Sequence, residues 1–329
     1  SPQQLHFTSG SNQYRYENNT RTNTISFTAG ITQRDTINPD NLGNLDTLIN
    51  VNNKFIGNEI SGFGYGVVSI GIGSLIKAGV NDFRPYYNQG TEISNNLIFN
   101  VRRAGIFAAY EDGAKIVGNR IYNVGAITGG SEASVAGILA GGEVRYNNMN
   151  LFISQNEISG VRGSQWSRGI VIEQCRNDYQ SINAVDKGFG PRTQAGTVSF
   201  PNVPEHSYIT SNVIWGLSRT ATTGNIAGVH LFTRRATSAD PLTALVTPTI
   251  LTYFTQADSV VNNTIVVAND NIAGTGAIVG VGVHNANGPV VMNNAIALLG
   301  NANAASLTHS ALFVEGFVFR NGKVNTWYL

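Results

Sequence analysis

The chain has 329 residues, a formal net charge of +1 and only 12% charged side chains, so it carries no electrostatic footprint for nucleic acid or an anionic membrane. It contains no run apolar enough to span a bilayer and no lipidation motif. Its single cysteine, Cys175, excludes an internal disulfide, so stacked non-covalent contacts must hold the fold.

In chain order, residues 1–50 show only short alternating pieces: Leu5-His6-Phe7, Tyr14-Arg15-Tyr16 and Ile25-Ser26-Phe27. They read as an N-terminal cap or irregular first coils, because exposed strand edges need cover. The chain opens on Ser1-Pro2 without Met or a signal peptide, as expected of a processed chain or a segment of a longer one. From residue 51 one phrase recurs: FIGNEI (55–60), ISNNLI (93–98), IVGNRI (116–121), ISQNEI (153–158), ITSNVI (209–214), VVNNTI (260–265) and VMNNAI (291–296). Its anchors are Asn58, Asn96, Asn119, Asn156, Asn212, Asn263 and Asn294, and the second residue after each is Ile. Such a fixed recurrence marks a repeat protein.

A second phrase follows each anchor: a small residue, usually Gly, then a short apolar run. The copies are YGVVSI (65–70), AGIFAA (104–109), AGILA (136–140), RGIVIE (168–173), AGVHLF (227–232), VGVHN (281–285) and SALFVE (310–315). Both phrases are short and rich in Ile, Val and Phe, and neither shows a helical period, so they predict strands. The interval from Asn96 to Asn119 is 23 residues. That admits three short strands and three turns but no covering helix. Successive copies then lie parallel, about 4.8 Å apart.

The predicted fold is all-β: a single-stranded parallel β-helix of about seven or more coils over 51–316, with long loops on one edge. Residues 317–329 form a C-terminal strand or cap, and the two ends can join subunits head to tail. Each anchoring Asn is expected at a sharp corner, where it tolerates left-handed backbone. Its amide would bond the same amide in neighbouring coils, forming an internal ladder. The Ile positions form an apolar stack, and the Gly of the second phrase admits a bend at little steric cost.

These repeats resemble right-handed parallel β-helix proteins, the group that includes pectate lyases, over about residues 50–315. The segments NRIYNVGAITGG (119–130), VNNTIVV (261–267) and VVMNNAIALL (290–299) are similar to repeats of large secreted surface proteins of Bacteroidota-type bacteria. The first resemblance implies a substrate groove along one strand face and its turns. The second implies export and surface display. Neither the clustered Asp motifs of the hydrolases nor a carboxylate-rich calcium strand with a partnering Arg is found, so no catalytic residue carries over.

Long insertions follow the second strand in coils one, four and five, at 71–90, 174–206 and 233–257. They are expected to form a wall beside a notch at 110–114, and loops on a rigid scaffold are where binding usually resides. Glu111, Asp112, Glu143 and Glu173 gather at this edge, with Arg168, Arg234 and Arg235. Carboxylates one coil apart would be near 5 Å and two coils apart near 10 Å, which brackets the two glycosidase geometries. A lyase would instead need a base, often with Ca²⁺ held by several carboxylates. Ca²⁺ is expected only on that alternative; otherwise the sequence calls for no cofactor and no metal. Tyr110, Tyr146, Trp166 and Arg234 are candidate sugar contacts. The bland reading of these residues is that solenoid turns carry charge for solubility.

Alternation along the second strand turns Val68, Phe107, Leu139, Val171, His230, His284 and Phe313 outward. This mainly apolar strip is expected to be covered by inserted loops or to be a contact surface. His230 and His284 can serve as a base or metal ligands, but no further ligand accompanies them at a recognisable spacing, which favours a structural role. Cys175 reads as a packed or loop residue rather than a nucleophile. The sequence thus points to an extracellular structural or adhesive module, on a cell surface or in a fibre. Its expected partners are polysaccharide or other cell-surface components and itself, end to end. The alternative is a polysaccharide lyase, glycoside hydrolase or carbohydrate-binding protein.

Overall fold

Each repeat folds into one coil of three short strands joined by three corners. The computed structural model describes residues 4–7, 25–34, 50–71, 73–74, 85–125, 132–141, 148–175, 193–194, 198–199, 206–234, 258–268, 276–284, 289–299 and 309–315. In coil one the strands are Lys54–Ile56, Glu59–Ser61 and Tyr65–Ile70. Stacked copies build three parallel sheets, here the first, second and third, and the coils begin near 51, 88, 111, 148, 206, 258 and 289. The architecture is a right-handed parallel β-helix. No α-helix occurs among the described residues, so none is long and apolar enough to cross a membrane.

Register explains why the two phrases are needed. In the second sheet Ile60, Ile98, Ile121, Ile158, Ile214, Ile265 and Ile296 stand one above another. In the first sheet Phe55, Ile93, Ile116, Ile153, Ile209, Val260 and Val291 do the same. The third sheet adds Val67, Ile106, Ile138, Ile170, Val229, Val281 and Leu312. These columns meet in one continuous core. A one-residue slip would turn a whole column to the other face, so the register is strongly fixed.

The glycines of the second phrase have a different job from the expected bend. A Cβ on Gly137 would fall 2.4 Å from Cγ2 of Ile158 and 2.7 Å from the carbonyl oxygen of Gly169. Gly66, Gly105, Gly169, Gly228 and Gly280 meet the same obstacles, always an isoleucine of the column and the backbone of the next coil. None of these six has a positive φ. The requirement is clearance: isoleucine and glycine are two halves of one packing unit. At the last described coil the equivalent residue is Ala311, which is exposed.

The ladder is present, but the ladder asparagines do not make the turn. At the corner between the first and second sheets the left-handed residues are Gly57, Asn95, Gly118, Gln155, Ser211, Asn262 and Asn293, with φ of 55–69°. Each directly precedes a ladder Asn. Making the turn one residue early leaves the ladder Asn free to donate along the stack. Its Nδ2 donates to Oδ1 of the next ladder Asn at 2.9 Å in all six steps from Asn58 to Asn294. Its backbone N donates to the same oxygen at 2.9–3.1 Å. From Asn96 onward, Nδ2 also donates to a backbone carbonyl of the preceding coil. The column therefore satisfies its own buried polar groups.

The corner from the third sheet back to the first carries shorter polar columns. Asn50 donates to Asn88 (3.3 Å), Asn88 to Glu111 (2.8 Å), and the Glu111 backbone N to Asn148 Oδ1 (3.0 Å). In a second column that starts in the same coil as Asn148, Leu151 N donates to Ser207 Oγ and Ser207 N to Asp258 Oδ1, at 3.2 and 3.0 Å. Toward the N-terminus, Ile25–Arg34 adds a parallel strand to the third sheet, with Ile31 beneath Val67, and Gln4–Phe7 pairs antiparallel with it.

Candidate functional site

The outer face of the third sheet divides into two parts. In coils one to three it is apolar: Tyr65, Val68, Ile70, Phe107 and Tyr110 form a second buried cluster with Tyr87 and Met149. Tyr87 and Tyr110 pack ring to ring at 5.4 Å, where a notch was expected. The last residues of the first expected insertion belong to coil two, since Asn88–Gln89 pairs with Glu111–Asp112. Most of the three insertions lies outside the described residues.

In coils four to six the same face becomes polar and aromatic. Strand Trp166–Cys175 places Arg168 level with Ala136 below and Ala227 above, so small neighbours leave room for the long side chain. Glu173 stands level with Gly141 and Phe232. Arg168 Nη1 and Glu173 Oε2 are 3.8 Å apart, both nearly enclosed. The Arg168 guanidinium carbon lies 5.7 Å from the Trp166 ring centre. His230 stacks on Trp166 at 4.9 Å and meets His284 edge-on at 4.8 Å. Gly282, level with His230, keeps open the space the two imidazoles share, since its Cβ would lie 3.3 Å from His230 Cδ2. Phe232 and Phe313 complete the aromatic set.

The electrostatics follow from enclosure. His230 is buried and neither ring nitrogen has a hydrogen-bond partner. Burial holds its pKa well below the usual histidine value, and the charges of Arg168 and His284 push it the same way. Enclosed against Trp166, Phe232 and His284, the ring favours its neutral imidazole form. The half-buried rims of Trp166, Phe232 and His284 face outward for contact with a ligand, with His230 packed behind them. No three His, Cys, Asp or Glu side chains converge to hold a metal among the described residues.

The sequence grouped Glu111 and Asp112 with Glu173, and the structure separates them. Glu111 is fully enclosed, and its Oε1 accepts from Ser69 (2.5 Å) and Asn88 (2.8 Å). Ser69 lies in the row of the inward-facing Ala108 and Ala140, so this carboxyl sits in the coil and not on the edge. Burial raises its pKa to about 6, partly offset by bonds from Ser69, Asn88 and Thr91. Asp112 is half-exposed and accepts from Asn150 Nδ2 at 2.8 Å. Tyr110 is buried and unavailable for sugar stacking. Glu143, Tyr146 and Arg235 lie outside the described residues; Arg234 and Cys175 end their strands, with side chains outside that description.

Sequence alternation found both histidines but not their proximity. It matched Gly282 to Gly228, whereas register matches Gly280, which moves His284 level with Phe232 and beside His230. It missed Asp258 altogether. That residue stands five positions before its ladder Asn, where coils one, two and five carry Asn53, Thr91 and Ser207, and this polar column was the available signal.

No family model, curated protein or solved structure matches the chain. The fold and the outer face are therefore the whole basis for a functional reading.

Proposed function

We propose that this chain is an extracellular structural or adhesive β-helix module, carried on a cell surface or built into a fibre. One observation supports it above the rest. The Asn ladder runs unbroken from Asn58 to Asn294, while among the described residues Glu111 is enclosed in the coil and Glu173 is held beside Arg168. A rigid scaffold of this kind displays its outer rows at fixed spacing. Tyr122, Phe152, Tyr208, Val213 and Trp215 are 37–45% exposed on the outer faces of the first and second sheets. Exposed apolar side chains in stacked rows on these two faces favour contact with a partner, here polysaccharide or another cell-surface component. Pull-down on intact polysaccharides and cell-envelope preparations tests it. Binding that weakens at least tenfold in a Tyr208→Ser/Trp215→Ser variant supports the reading, and a chain that binds neither preparation counts against adhesion.

The second reading is a pectate-lyase-like polysaccharide enzyme or carbohydrate-binding protein. Trp166, Arg168, Glu173, His230 and His284 favour it, because stacking and proton-transfer groups share one sheet face. Cleavage assays on acidic and neutral polysaccharides, with and without Ca²⁺, separate the two. Activity abolished by His230→Phe or Glu173→Gln supports the enzyme, whereas no cleavage leaves the module.

A further inference from the structure

Two buried acids have no role in either reading. Asp258 is 3% exposed; its Oδ1 accepts the Ser207 backbone N–H, and its Oδ2 is enclosed without a hydrogen-bond partner. Glu111 is 0% exposed; its Oε1 carries the bonds from Ser69 and Asn88, and its Oε2 is enclosed without a partner. Both stand at the corner from the third sheet to the first, in columns whose other polar members are amides and hydroxyls. Among the described residues, none of the hydrogen bonds to either carboxyl comes from a cation.

We propose that this corner is a proton-held latch, closed when Glu111 and Asp258 are neutral acids and loosened when they ionise. A carboxylate in such a place loses its hydration without gaining a cation, so the closed corner binds the proton more tightly than an opened, hydrated one. The surroundings agree. Around Glu111 the acting groups are Ser69, Asn88, Thr91 and the like-charged Asp112. Around Asp258 the coil before brings Ser207 and His206, and the coil after brings Pro289 and Val290; only the Ser207 N–H acts to favour the charged form. Burial dominates at both, moving Glu111 to about 6 and Asp258 to about 7.

Linkage fixes the sign and slope. The opened corner gives up its proton near pH 4, and the closed corner holds it to about 7 at Asp258. The opening equilibrium therefore rises about tenfold per pH unit across that window and levels off above it. Carboxyl-carbon NMR titration of the labelled full chain reads the two midpoints. Native-state hydrogen exchange at the Ser207 amide, corrected for intrinsic chemistry, reads the opening. We expect midpoints near 6 and 7 and a pH-dependent Ser207 opening that flattens in Asp258→Asn, with the Asn119 amide unchanged. Midpoints at ordinary carboxylate values, or a Ser207 opening with the same pH dependence in wild type and Asp258→Asn, overturn the proposal. Should Asp258→Asn not fold, the wild-type midpoints decide alone.

Discussion

Replacing Asn156 with Ala removes the middle rung of the ladder. Asn156 Oδ1 accepts the backbone N and the Nδ2 of Asn119, at 3.0 and 2.9 Å. Its own Nδ2 donates to Asn212 Oδ1 and the Ile116 carbonyl, at 2.9 and 2.8 Å. In Asn156→Ala the Asn212 oxygen keeps the bond from the residue 156 backbone N, and Asn119 Nδ2 keeps its bond to the Ile93 carbonyl. Two buried donors on Asn119 lose their acceptor, with Nδ2 keeping besides only a long 3.4 Å bond to the Val117 carbonyl. At about 2 kcal/mol for each orphaned buried donor, the loss is about 4 kcal/mol. The end rung is the internal comparison. Asn294 is only half-buried, so water can replace it at Asn263, and Asn294→Ala should cost about 1 kcal/mol. Urea unfolding followed by circular dichroism gives both values, with the slope compared to confirm that the same unit unfolds. Equal, small losses at the two positions would show that the ladder contributes little and would refute this reasoning.

Other consequences follow from packing and charge. Gly137→Ala forces its new methyl into Ile158 and the Gly169 carbonyl and should cost about 3 kcal/mol; adding Ile158→Ala relieves part of the clash, so a double-mutant cycle by urea unfolding should be non-additive. Arg168→Met removes the 3.8 Å ion-pair contact to the enclosed Glu173 carboxylate and should cost about 2 kcal/mol, less in a Glu173→Leu background, so the double-mutant cycle should be non-additive. His230 acts in the opposite sense to the two acids. Its folded pKa is depressed, so the stability of its neutral form is present above about pH 6.5 and is lost as pH falls below that value. In thermal melts, His230→Phe should flatten the acid side of the stability profile and leave the alkaline side unchanged.

Much of this architecture is legible in the sequence because the repeat states it twice. Asn and Ile at a fixed offset specify the ladder and one wall of the core, and Gly before an apolar run specifies the facing wall. What the residues do locally is less legible. Asn58 and its counterparts suggested a left-handed corner, yet Gly57, Asn95 and their counterparts make the turn, because a polar ladder needs its backbone N–H aimed along the stack. Glu111 looked like an edge carboxylate because turn residues are usually solvated. Only the pairing of residues 88–89 with 111–112 shows that the chain has already entered the next coil there. The His230–His284 contact depended on choosing between two glycines two residues apart, a choice that strand pairing makes and composition does not.

A crystal structure of the chain tests the central claim most directly. The account predicts that each ladder Nδ2 from Asn58 to Asn263 reaches Oδ1 of the next ladder Asn at hydrogen-bond distance, with the isoleucine column packed against the glycine backbone. Ladder asparagines spread over different faces, or adjacent repeats joined by antiparallel strands, would contradict it.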